Sequence, residues 1–153
     1  MTTGTRMSAP VVLTSAGRAW LEARLGRVVE RLERVDAELA AERTDELVNE
    51  RQGLSEQHDE LAQLLRDAVA PADIIDDPTI VEIGDEVEVE FPDGSREAFL
   101  IVHPVEAGMD EHRTSCEAPL ARAVLGHRPG DRVTVTSPAG LYSCTIVRRD
   151  RLG

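Results

Sequence analysis

The chain has 153 residues, enough for one ordinary domain or two small units and too few for a large multi-domain enzyme. Its formal charge is −12 and all 17 basic residues are arginine, so it lacks the basic surface that a sequence-independent grip on nucleic acid or an anionic membrane requires. Four aromatic side chains, Trp20, Phe91, Phe99 and Tyr142, are few for a large ligand pocket, and no run approaches the roughly 18 apolar residues of a membrane span.

The N-terminus offers only Val11, Val12 and Leu13 where a signal peptide needs a longer apolar core, so a cytoplasmic location is expected. Residues 1–14 are expected to be a flexible N-terminus. From Leu21 through Leu25, Val28, Leu32, Val35 and Leu39 the apolar residues step by alternating fours and threes, with Arg and Glu between them. Such spacing is a coiled-coil seam. Thr14 or Ser15 is placed to cap its start. The next seam positions hold Glu42 and Glu46, and the apolar stripe resumes in another phase at Leu47, Leu54 and Leu61. That break predicts a helix reversal, with Thr44 or Asp45 capping a second helix whose acidic first turn suits the positive end of its dipole. The expectation is two antiparallel helices, about 15–43 and 45–69, within a hairpin unit of 15–70; the first is about 43 Å long at 1.5 Å per residue. The alternative is one unbroken helix in a parallel dimer, against which the phase slip and Gly53 both count.

Composition changes near Pro71, where prolines, glycines and β-rich runs take over. A linker at 71–76 and a second unit at 77–153 follow. Residues 80–83, 87–91 and 98–102 read as strands, with Pro92-Asp93-Gly94-Ser95 as a hairpin turn. Pro119 to Leu125 reads as a short helix, with Pro119 at its first position and Gly126 beyond its end. Residues 132–136 and 141–147 form a last hairpin. This is an α+β arrangement of antiparallel strands with one late helix. Cys116 and Cys144 show no CxxC spacing and read as small core residues, and His58, His103, His112 and His127 form no metal-ligand cluster.

Four segments carry a family resemblance: Leu13-Thr14-Ser15-Ala16-Gly17; Gln52-Gly53-Leu54; Ala72-Asp73-Ile74-Ile75-Asp76; and, most specific, Ala118 to Gly126 followed by Pro129-Gly130-Asp131-Arg132-Val133 and Pro138-Ala139-Gly140. The sequence resembles the Gre family of bacterial transcription factors, and its second unit alone also resembles the nucleoside-diphosphate-kinase regulators. The resemblance implies a helical hairpin joined to a domain of FK506-binding-protein-like fold, acting as a monomer on RNA polymerase. The domain would dock on the β′ coiled coil at the rim of the secondary channel, and the hairpin tip would reach inward. It implies Glu117, Ala118, Pro119, Leu120 and Arg122 as polymerase-contact candidates, and Thr44, Asp45, Glu46 and Glu50 as the functional tip. Asp45 and Glu46 become candidate ligands of a Mg²⁺ shared with the polymerase, the chain having no cofactor of its own.

The tip departs from the family's cleavage-active pattern. It lacks the aromatic residue, and the hairpin is shorter by on the order of one turn per arm, several ångströms of reach. The implied function is modulation of transcription without stimulated RNA cleavage and without enzymatic activity of its own. The alternatives are true cleavage stimulation through the acidic tip and a coiled-coil adaptor that dimerises through the Leu21–Leu39 seam. A prolyl isomerase is disfavoured because the second unit has only three aromatic side chains, and fold alone confers no activity.

Overall fold

The structure is a computed structural model that describes residues 11–73 and 77–151. Its contacts divide the chain into two compact units: Ala16–Ala68, and a second assembled from the segments on either side of it.

The helical unit contains α1 (Ser15–Ala41) and α2 (Asp45–Asp67). Thr44 has an extended backbone, φ −123° and ψ 154°, and its hydroxyl oxygen accepts from the Leu47 N–H at 3.2 Å. The cap is therefore Thr44, and Asp45 is the first helical residue. Cross-arm contacts pair Asp36 with Arg51, Arg31 with Glu50, and Arg18 with the Ala68 carbonyl. Early residues of α1 meet late residues of α2, so the arms are antiparallel and the unbroken rod is excluded. Leu21, Val28 and Val35 of the first seam are buried within a single chain, as is Leu61 of the second. Helix α1 stops two residues short of the expected end: Glu42 still donates to the Glu38 carbonyl, and the extended cap follows at once. Helix α2 stops at Asp67 because Ala68 is extended and opens strand β2 (Ala68–Val69).

Residues 11–14 are not the loose leader expected from sequence. Strand β1 (Val11–Val12) pairs with β2, the Leu13 N–H donates to the Val69 carbonyl at 3.0 Å, and Val12 and Leu13 are each only 2% exposed. Buried apolar side chains and a buried carboxylate, Glu106, hold this segment; Glu106 accepts from the Thr14 N–H at 2.9 Å and its hydroxyl at 2.7 Å. Pro71–Asp73, read as linker, forms one 3₁₀ turn with Pro71 buried. The rest of that linker, including Ile74, Ile75 and Asp76 of the family-like segment, lies outside the described residues.

The globular unit is built on a five-stranded sheet in the order β5-β4-β3-β7-β6. Its strands are β3 (Asp85–Glu90), β4 (Arg96–Val102), β5 (Arg113–Ser115), β6 (Arg132–Ser137) and β7 (Gly140–Arg151). In β3, Val87 and Val89 are fully buried while Glu86, Glu88 and Glu90 face outward, the alternation expected from sequence. Helix α3 (Pro119–Val124) has proline in its first turn and is followed by Gly126 at φ +81°, a left-handed conformation that suits glycine. Ala121 and Val124 pack with Val87, Ile101, Val135 and Ile146 in one core.

Three features depart from the expectation. Residues 80–83 form no strand. Val81 instead exchanges backbone hydrogen bonds with the segment after α3, donating to His127 and accepting from Gly126. The chain then turns at Gly84, φ +94°, where a Cβ would stand 2.9 Å from Pro71. One edge of the sheet is parallel, because β5 returns beside β4 after a 3₁₀ turn at Pro104–Glu106. Strand β7 runs to Arg151 rather than 147, with a register shift opposite Glu88/Val89; its added residues Arg149 and Arg151 pair with the fully buried Asp85.

Candidate functional site

Two surfaces hold the residues singled out from sequence, one in each unit. In the helical unit the reversal spans 42–44, and the first turn of α2 carries Asp45 and Glu46, both exposed. Leu47 and Val48 are half-buried behind them. Glu50 does not join this pair. Its two oxygens accept from Arg31 Nε at 2.7 Å and Nη2 at 3.0 Å, a two-pronged ion pair. The hydrogen bonds from Arg31 hold the Glu50 carboxyl below its ordinary value, with partial desolvation opposing them, and the same bonds raise the Arg31 pKa. The repulsion that Glu46 and Glu50 would exert at i and i+4 is thereby eased.

As a cation site the tip is incomplete. Adjacent helical residues point about 100° apart and do not converge on one point, and the third carboxylate is already taken. Among the described residues no group of three or more His, Cys, Asp or Glu side chains could hold a metal ion. Asp45 and Glu46 are thus two separate acceptors at a positive helix end, and they do not form a closed magnesium shell.

In the globular unit, Ala118 precedes α3 with an extended backbone and, lacking a hydroxyl, makes no side-chain cap. Its carbonyl accepts from the Arg122 N–H, while the Glu117 N–H donates to Ser115 Oγ. Glu117, Pro119 and Arg122 are exposed. They line, with Ala123 of α3 and Thr134 and Thr136 of β6, a depression of about 400 Å³. Leu120 stands apart from this surface: it is half-buried and packs against the core. The two threonines were not legible as site residues, because only strand alternation and the packing of α3 beside β6 bring them there.

The remaining reactive groups are quiet. Burial raises the thiol pKa of Cys116 and of Cys144, which keeps both protonated at neutral pH. Burial also pushes the His103 imidazole below its ordinary value, and its Nδ1 lies 3.1 Å from the Val105 N–H that it caps. Among the described residues no helix is long and apolar enough to cross a membrane.

Comparison with known proteins gives these surfaces a setting. Residues 76–148 match the family model described as "Transcription elongation factor, GreA/GreB, C-term". GreA of Geobacillus kaustophilus is 38% identical over 88 residues, and the chain spans little more than half of that relative's length, 56%. GreA of Chloroflexus aggregans is 34% identical across 91% of this chain and 96% of its own. Among solved structures, Gfh1 of Thermus thermophilus is 28% identical over 93% of this chain and 99% of its own, with a TM-score of 0.42. The globular unit carries the family-model match, and the near full-length agreement with the Chloroflexus protein extends it through the helices: the chain belongs to the GreA/GreB family of transcription elongation factors.

Proposed function

We propose that this protein binds RNA polymerase and modulates transcription without stimulating transcript cleavage, as a monomeric factor with no enzymatic activity of its own. The globular unit docks on the β′ coiled coil at the rim of the secondary channel through Glu117, Pro119 and Arg122. The hairpin enters the channel tip first. Strong negative charge suits this role, since a probe that passes along a nucleic-acid channel must avoid trapping nucleic acid.

The observation that carries the no-cleavage reading is that Asp45 and Glu46 diverge as helix neighbours and that Glu50 does not supplement them. With both its oxygens on Arg31, the tip retains only Asp45 and Glu46, neighbours that diverge from each other. Such a tip occupies space and alters the local field, but does not assemble an ion by itself. Burial of Leu21, Val28 and Val35 inside one chain likewise favours a monomer over a seam-mediated dimer.

The test adds the protein to a purified, backtracked elongation complex and follows RNA length and the rate of nucleotide addition. Unchanged RNA length with an altered addition rate is the expected result. Mg²⁺-dependent shortening that disappears in the D45A/E46A variant would establish the cleavage reading instead.

A further inference from the structure

We infer that Arg31 and Glu50 are positioning residues, whose twin hydrogen bonds hold the Thr44–Val48 turn in one orientation for its action on polymerase; the inference rests on the polymerase reading above.

Apolar grip weakens toward the tip. The last buried residue of α1 is Val35, and the only one in α2 is Leu61, sixteen positions beyond the start of that helix. Leu39, Leu47, Val48 and Leu54 are only partly buried. Between Val28 and the tip the arms are joined by two ion pairs, Arg31 with Glu50 and Asp36 with Arg51. Arg51 Nε reaches Asp36 Oδ1 at 2.6 Å through a single bond, with both side chains about half exposed. Arg31 instead engages both oxygens of Glu50. A single bond restrains distance, whereas a fork of two parallel N–H···O bonds also restrains rotation.

Glu50 lies one helical turn from Glu46, on the same face. A helix transmits rotation along its axis, so fixing Glu50 fixes the direction in which the first turn of α2 projects. The family resemblance implied Glu50 as part of the functional tip. Here its oxygens are used inside the hairpin, and its contribution is to aim Asp45 and Glu46.

The test titrates wild type, E50Q, R31Q, R31K and the reversed pair R31E/E50R into purified elongation complex, separating apparent affinity from the maximal effect on nucleotide addition. Circular dichroism confirms that each variant is helical. E50Q and R31Q are expected to bind within about twofold of wild type but to lose roughly threefold or more of the maximal effect, the scale of one well-formed ion pair. R31K, which keeps the charge and loses the fork, falls between them and wild type. R31E/E50R regains most of the effect. Hydrogen exchange at residues 44–48 accelerates in E50Q and slows again in the reversed pair.

Wild-type maximal effects in every single variant, or a reversed pair no better than the single variants, overturn the inference while leaving the polymerase reading intact. A wild-type protein that does not alter the elongation complex defeats the polymerase reading, and the inference with it.

Discussion

In the globular unit, Val87, Val89, Ile101, Val124, Val135 and Ile146 have no exposed surface, whereas the helical hairpin buries only Leu21 and Val35 to that degree. Charges divide in the same way. Asp85 and Glu106 are fully buried among arginines and backbone donors, while Arg31 and Glu50 keep about a third of their side-chain surface. The globular unit is thus fixed by packing that tolerates little change. The hairpin is tuned by groups that remain in contact with water, so its geometry can be altered without unfolding it. That contrast fits a docking body with a separately adjustable probe.

The sharpest way to break the contrast is to remove one charge from each kind of site. Asp85→Ala removes the fully buried carboxylate that Arg149 and Arg151 both engage, and with it a charge-assisted hydrogen bond to each. A loss of about 3–5 kcal/mol is expected in urea denaturation, a large share of a small domain's stability. If Asp85→Ala cost no more than an exposed pair, the division between the units would be wrong.

Thr44→Ala comes next. It removes the oxygen that accepts from the Leu47 N–H, and a loss of about 1 kcal/mol is expected, confined to hairpin amides in native-state hydrogen exchange. Gly26→Ala should act in the opposite sense. Gly26 sits in the exposed interior of α1 with nothing within 4 Å of a Cβ placed there. Alanine is therefore expected to stabilise the hairpin by up to about 1 kcal/mol, visible as a higher melting temperature.

The smallest effect is on pH dependence. Glu50 titrates below its ordinary value in the folded hairpin because of its hydrogen bonds from Arg31. Its stabilising contribution is therefore fully present above the ordinary carboxylate value and is lost as pH falls through the lowered one. The difference in melting temperature between wild type and E50Q should be present at neutral pH and should close in acid. A difference that persisted unchanged into acid would show that ionisation of Glu50 is not what ties the arms.

Much of this architecture was legible in the residues. The phase break between Leu39 and Leu47, with Thr44 inside it, marked the reversal because carboxylates at Glu42 and Glu46 cannot continue an apolar seam. Pro119 and Gly126 bracketed α3 because each is suited to one end of a helix. The misses share a cause. Strand β5 is only Arg113, Thr114 and Ser115, a polar triplet with no alternation, and it exists because β4 offers it an edge. Strand β1 is two valines whose partner lies beyond the whole hairpin. Residues 80–83 alternate as a strand would, yet Val81 finds its hydrogen bonds after α3. Among the site residues, Asp45 and Glu46 are where the reversal put them. The withdrawal of Glu50 onto Arg31 could not be read, because heptad spacing fixes which face a residue occupies and not which partner it meets across the seam. Thr134 and Thr136 were hidden for a similar reason, since nothing local joins a strand to a helix ten or more residues earlier.

The central claim is that the hairpin acts on polymerase without promoting cleavage. RNA length in a stalled, backtracked elongation complex tests it most directly. With saturating protein and Mg²⁺, the account predicts full-length RNA together with a changed rate of nucleotide addition. Shortened RNA that depends on Asp45 and Glu46 would contradict it.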